Sequence, residues 1–292
     1  MRPPLSTARL LAVGVLCLMG QCAVAQDTVE LGRYLFHAAL CGVCHTAEGG
    51  KFLAGGRPLH TPFGTFYTPN ITPDPDHGIG RWKDGDFLRA LREGVSPGGD
   101  HYYPAFPYTA YTRLRREDVL AIKAYLDSVD PVPQPNRPHD LVWYADFRWP
   151  LGLWKWLYFE PGEFVPQADR DAQWNRGAYL AQAASHCAEC HSPRNLLGAL
   201  RRDRLYAGSA DGPEGESTPN ITPDKSGIGD WTPSMLGFYL ETGMTPEGDF
   251  AGSLMADVID QGTSKLTPED RSAIATYILA LPPLPADTGK SD

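Results

Sequence analysis

Two short segments of this 292-residue chain hold side chains that could act together: Cys41-Gly42-Val43-Cys44-His45 and Cys187-Ala188-Glu189-Cys190-His191. Each sets two thiols one helical turn apart and an imidazole directly after the second. Thiols so spaced can reach the two vinyl groups of one haem, and the histidine that follows can then ligate iron from the proximal side. A zinc site would want the two pairs about 15–20 residues apart; here they are 187 − 41 = 146 apart. A thioredoxin-like redox pair needs no following histidine, and a local disulfide leaves it unexplained. The remaining cysteines, Cys17 and Cys22, fall in an N-terminal segment expected to be removed, so the two motifs use every cysteine of the mature chain. The expectation is two covalent haem c groups, on Cys41 and Cys44 and on Cys187 and Cys190, with His45 and His191 as proximal iron ligands.

The distal ligands follow from an internal repeat. Thr68-Pro69-Asn70-Ile71-Thr72-Pro73-Asp74 recurs unchanged at 218–224, and Gly78-Ile79-Gly80 before Trp82 recurs as Gly227-Ile228-Gly229 before Trp231. With Gly94 set on Gly243, Phe106 falls on Met255, which lies 64 residues after His191. Met255 is therefore the expected distal ligand of the second haem, ahead of Met244 and Met235, which align with Val95 and Asp86. The first haem has no methionine to use, since none occurs between Gln26 and Met235. His101 is the leading candidate there; Tyr103, His60, His77, a water or an empty position compete with it. His37 and His139 are expected in ordinary packing. Asn70 and Asn220 are expected to shape their loops through side-chain-to-backbone hydrogen bonds.

These residues must be positioned by two similar units. Each reads as an opening helix (Leu31-Gly32-Arg33-Tyr34-Leu35; Arg176-Gly177-Ala178-Tyr179-Leu180), the haem motif, a turn-rich loop, a short helix after the tryptophan, a second loop and a closing helix. The first closing helix is expected at about 117–128. The second opens with Thr267-Pro268-Glu269-Asp270, where Thr can cap, Pro suits the first helical position and Asp can complete a capping box. The fold expected is all-α, two tandem class I cytochrome c domains. The expected divisions are a signal peptide 1–25, a first domain 26–130, a linker 131–170, a second domain 171–284 and a polar tail 285–292. The linker opens with four prolines and then carries four of the seven tryptophans. It either packs between the units or docks a dehydrogenase or membrane headgroups.

The remaining signals bound the class. Arg2 and Arg9, the apolar run 10–20 and Ala23-Val24-Ala25 read as a signal peptide cleaved after Ala25. The whole chain carries 26 Lys plus Arg against 35 Asp plus Glu, a net charge of −9. Losing Arg2 and Arg9 leaves 24 − 35 = −11. That acidity excludes nucleic acid as a partner, because phosphate binding needs cations. No apolar run reaches the roughly 18 residues of a membrane span.

The motifs resemble those of the multihaem cytochrome c subunits of membrane-bound alcohol, gluconate and aldehyde dehydrogenases. The resemblance rests on CGVCH and CAECH, TPFGTFY, both TPNITPD segments, GIGRW and GIGDW, YPAFPY and LTPED, and covers most of 31–130 and 175–283. It implies a periplasmic protein that takes electrons from a dehydrogenase and passes them to quinone, an oxidase or another cytochrome. It also implies His45 and His191 as proximal ligands and Met255 as distal. The family usually carries three haems, against two motifs here, and places its first ligand in Y-P-A-M-P-Y, where this chain has Phe106. The rival readings are a dihaem peroxidase-like enzyme and a gas-binding haem protein, both using an open first haem.

Overall fold

The structure, a computed structural model, describes residues 26–287; the expected signal peptide and residues 288–292 of the tail lie outside the described residues. The chain is mostly helical. In its first half, α1 (26–38) leads into α2 (Cys41–His45), followed by α3 (Asp84–Glu93), α4 (Tyr108–Tyr111) and α5 (Arg116–Leu126). The connector holds α6 (Pro150–Tyr158). The second half has α7 (Ala172–Tyr179), running on through a π-helical turn Leu180–Ala184, then α8 (Cys187–Cys190), α9 (Pro233–Thr242), α10 (Ser253–Gln261) and α11 (Pro268–Leu279).

The all-α expectation needs one correction. The TPFGTFY segment forms a hairpin of β1 (Pro58–Thr61) and β2 (Gly64–Tyr67), in antiparallel register Pro58↔Tyr67 to Thr61↔Gly64. A third strand, β3 (Asp140–Leu141), is added from the connector. Alternating residues and a glycine turn suit a hairpin better than a helix.

In each half the first and last helices cross at a glycine. A Cβ on Gly32 would stand 1.9 Å from the Ala121 carbonyl oxygen of α5, and one on Gly177 at 1.9 Å from that of Ala273 in α11. Only glycine lets two backbones approach this closely. The second closing helix, α11, begins where capping chemistry places it, whereas α5 starts after Arg115 without a side-chain cap. Thr267 Oγ1 accepts from Asp270 N at 3.2 Å with Pro268 following. The expected capping box does not close, because the Asp270 carboxylate is turned to Arg176 and Tyr34.

The halves do not sit apart on a loose tether. One cluster of buried apolar residues runs through both, joining Leu35, Phe36 and Ile122 to Leu180, Ile274 and Tyr277. Two reciprocal hydrogen bonds fasten it: Tyr34 Oη donates to Asp270 at 2.5 Å, and Tyr179 Oη donates to Asp118.

The connector straps this body. Asn70 Nδ2 donates to the carbonyls of Val132 and Gln134, and Asn220 Nδ2 donates to that of Leu284 in the equivalent segment of the second half. Helix α6 is inverted. Its one buried residue is Lys155, whose ammonium donates to the carbonyls of Glu93 and Gly94, while Trp149, Leu153, Trp156 and Leu157 face outward. Trp154 Nε1 donates to Leu197 of the second half at 2.8 Å. The connector thus packs against both halves and still leaves Trp143, Trp149 and Trp156 78–79% exposed. Among the described residues, no helix is long and apolar enough to cross a membrane.

Candidate haem-binding site

Both motifs are presented in the same way. The residue before the first cysteine is left-handed in each, Leu40 at φ 58° and His186 at φ 38°. That turn breaks the opening helix and starts the short helix α2 or α8, so both thiols lie on one turn. Left-handed backbone at a non-glycine residue costs on the order of 1–3 kcal/mol, and it recurs here at the two points that aim the cysteines.

The four thiols are unpaired. Burial pushes Cys41, Cys187 and Cys190 up to about 12, and raises Cys44 as well. Redox-active and metal-binding thiols are held low by nearby positive charge; here burial outweighs the downward pulls of Arg57 on Cys44 and of Arg194 on Cys190. Glu189 and the Cys44 sulfur add smaller upward pushes on Cys190, which makes the two motifs neighbours across the boundary between the halves. Among the described residues, no cluster of three or more His, Cys, Asp or Glu could itself hold a metal ion. The sites supply one imidazole and two thiols each, the set that fits a macrocycle-bound iron.

The histidines are oriented from outside. His45 Nδ1 lies 2.7 Å from the Pro69 carbonyl oxygen, and His191 Nδ1 lies 2.8 Å from that of Pro219. A carbonyl can only accept, so each Nδ1 carries the proton and each Nε2 keeps its lone pair. This is the tautomer an iron ligand needs, fixed by the outer partner. Burial lowers both imidazoles below their ordinary value, against a smaller opposing pull from that hydrogen bond, so both are neutral at neutral pH.

The repeated TPNITPD loop brings those carbonyls into place. Asn70 Oδ1 accepts from Thr72 N at 2.9 Å and from Thr72 Oγ1 at 2.8 Å, and Asn220 does the same for Thr222 at 2.9 and 2.8 Å. The loop-shaping role expected of the two asparagines is what the structure has. Behind each loop stands a left-handed glycine. Gly55 (φ +73°) donates to His45 O and Gly208 (φ +81°) to His191 O, and a Cβ there would lie within 2.4–2.8 Å of the loop backbone. Sequence reasoning missed these glycines and the Pro69 and Pro219 carbonyls. The repeat held the signal, since all four recur in equivalent places.

Met255, in the first turn of α10, is half-buried and packs against the shared core. Its competitors face elsewhere. Met235 is 41% exposed at the start of α9, where its Sδ accepts from Thr232 N, and Met244 pairs with Phe250 in a β-bridge. His101 lies against α6, with Lys155 Nζ 3.0 Å from its Nδ1. His60 is on the hairpin beside Thr65, His77 is 3.1 Å from Asp74, and Tyr103 stacks on Phe66. His37 Nδ1 meets the Gln261 carbonyl and His139 Nδ1 accepts from Tyr67 N, ordinary packing roles for both. Arg57, not singled out from the sequence, donates to Val43 O within the first motif and to Asp257 of α10, tying that motif to the helix that carries Met255.

Known proteins carry the same pattern. The cytochrome c family model matches residues 29–130. A diheme c-type cytochrome from Cereibacter sphaeroides is 45% identical over 257 residues, 86% of this chain and 85% of that protein. The cytochrome subunit of fructose dehydrogenase from Gluconobacter japonicus is 40% identical over 88% of this chain and 53% of its own length. For the cytochrome c subunit of gluconate 2-dehydrogenase from Pantoea cypripedii the figures are 37%, 87% and 59%. The chain spans 53–60% of the alcohol, fructose and gluconate dehydrogenase cytochrome subunits it matches, and 21% of a nicotinate dehydrogenase subunit. It belongs to the cytochrome c family, and is a c-type cytochrome related to the diheme proteins and to the cytochrome subunits of these dehydrogenases.

Proposed function

We propose that this chain is a periplasmic dihaem cytochrome c, built of tandem class I domains at 26–130 and 171–284 joined by the connector 131–170. It takes electrons from a periplasmic dehydrogenase and passes them to quinone, an oxidase or another cytochrome. The observation that carries this reading is the doubled site: His45 with Pro69 and His191 with Pro219, each beside its own pair of thiols. Bound haem c supplies reversible one-electron chemistry at iron; the protein supplies ligands, orientation and burial. His45 and His191 would hold the iron through Nε2, with the Pro69 and Pro219 carbonyls fixing their rings through Nδ1. Met255 offers a soft, neutral thioether, which raises the reduction potential relative to a second histidine. Adjacency of the two motifs in one shared core favours passage of an electron between them. Relatives that are dehydrogenase subunits support a dehydrogenase as donor, and the expected signal peptide supports the periplasm.

Haem counting tests it. Mass spectrometry and pyridine haemochrome assay of protein matured in a periplasm should give two covalent haems per chain, and one in Cys187→Ala/Cys190→Ala. One haem in the wild-type protein, or a disulfide in either motif, would overturn the reading.

A further inference from the structure

We infer that the distal position of the first haem site receives no ligand from the described residues of this chain and is open to a small exogenous ligand, such as carbon monoxide on the reduced iron or cyanide on the oxidised. The inference rests on the reading that residues 41–45 carry haem c.

The two distal loops follow one hydrogen-bond scheme. Tyr102 N donates to Gly94 O and Ala251 N to Gly243 O, both at 2.8 Å; Ser96 N donates to Asp100 O and Thr245 N to Asp249 O, at 2.9 and 2.8 Å. The bridges Val95↔His101 and Met244↔Phe250 are likewise equivalent. Carried on by count along the chain, this register sets Phe106, in the bend before α4, against Met255, in the first turn of α10, and both side chains pack against the core. A phenyl ring has no lone pair to give. Phe106 is held at 5.6 Å from the Tyr102 ring and 5.8 Å from the Tyr111 ring.

Of the nearby donors, Tyr108 Oη is buried without a partner, its ring 4.7 Å from the Lys155 ammonium; the histidines, Tyr103 and Tyr111 are placed elsewhere. His101 occupies the position of Phe250, which is 70% exposed, so this point of the loop faces away from the core. Lys155 Nζ, 3.0 Å from His101 Nδ1, is an ammonium that can only donate. His101 Nδ1 is therefore the acceptor and its Nε2 carries the proton, the reverse of the tautomer at His45. His139 is fixed in the same way by Tyr67 N at 3.1 Å. His77 belongs to the loop that carries Pro69, on the proximal side, where it is bonded to Asp74 and its carbonyl accepts from Asn136. His60 stands on the exposed strand face of the hairpin. Tyr111 donates to Ala39 O at 2.6 Å. Tyr103 packs against Phe66 and His139 beneath the Arg148 guanidinium. His186, whose buried Nδ1 has no partner, directly precedes Cys187 on the attachment side of the second motif and stands edge-on to Tyr111.

The test uses holoprotein with its haem content counted. Carbon monoxide should shift half of the reduced Soret absorbance, and cyanide should convert one oxidised high-spin centre to low spin. Phe106→Met should abolish both responses and double the methionine-to-iron charge-transfer band; His101→Ala should leave the wild-type response unchanged. Two low-spin haems that ignore both ligands would overturn the inference, as would a new high-spin centre in His101→Ala. A protein lacking haem on Cys41 and Cys44 would instead remove the dihaem reading on which it rests.

Discussion

At the scale of single residues, one hydrogen-bond rule sorts the histidines. A partner that can only accept leaves Nε2 of His45 and His191 bare, while a partner that can only donate covers Nε2 of His101 and His139 with a proton. The cysteine-to-histidine spacing singles out His45 and His191 as the expected proximal pair. The partners that set the tautomers are mostly backbone groups, and no residue type advertises a carbonyl. Asp270 carries the residue-scale prediction. Burial alone would raise its carboxyl, but hydrogen bonds from Arg176 and Tyr34, with the Arg176 charge, hold it below its ordinary value. A carboxyl lowered in the folded state stabilises at neutral pH, and that contribution fades as pH falls through the folded value. Asp270→Asn should therefore be less stable than wild type at pH 7 by about 1–3 kcal/mol. Denaturant titrations should show the gap closing as pH drops below the ordinary aspartate value of about 3.9. A gap that stays constant with pH would remove Asp270 from the acid response.

At the scale of elements, the helix crossings decide which rule governs a substitution. Helix propensity alone gives Gly177→Ala a gain of about 1 kcal/mol. The Ala273 carbonyl oxygen, 1.9 Å from the new Cβ, gives instead a loss of about 1–3 kcal/mol through forced separation of α7 and α11. Urea unfolding of the holoprotein reads the sign directly, and a stabilised variant would show that the crossing tolerates a side chain. The sequence made the helix order, the capping of α11 and the asparagine loops legible, because caps, prolines and an unchanged seven-residue repeat act locally. It did not reveal the β-sheet, whose third strand comes from the connector 73 residues or more after β2. Nor did it reveal the orientation of α6. There the lysine is the buried residue and the aromatics face out, against the usual sense of an amphipathic pattern.

At the scale of the molecule, the two halves that carry the repeat form one body with the two Cys-x-x-Cys-His motifs side by side. The reciprocal bonds Tyr34–Asp270 and Tyr179–Asp118 tie the opening helix of each half to the closing helix of the other. Arg57 links the first motif to α10, the helix that carries Met255. An interface that shares its apolar core resists the relative motion expected of loosely joined domains, and so keeps the separation of the motifs constant. In the proposed reading the two sites are alike in their proximal histidines and unlike in their distal positions, Phe106 against Met255, so their potentials should differ. The central claim is that the chain carries two electron-transferring haems, the second ligated by Met255. A spectroelectrochemical titration of the wild-type protein and of Met255→His tests it most directly. The account predicts two reversible one-electron steps in the wild type. In Met255→His a single step should move to lower potential, by a sizeable part of the roughly 0.8 V that axial ligands can span. One step in the wild type, or no displaced step in the variant, would contradict it.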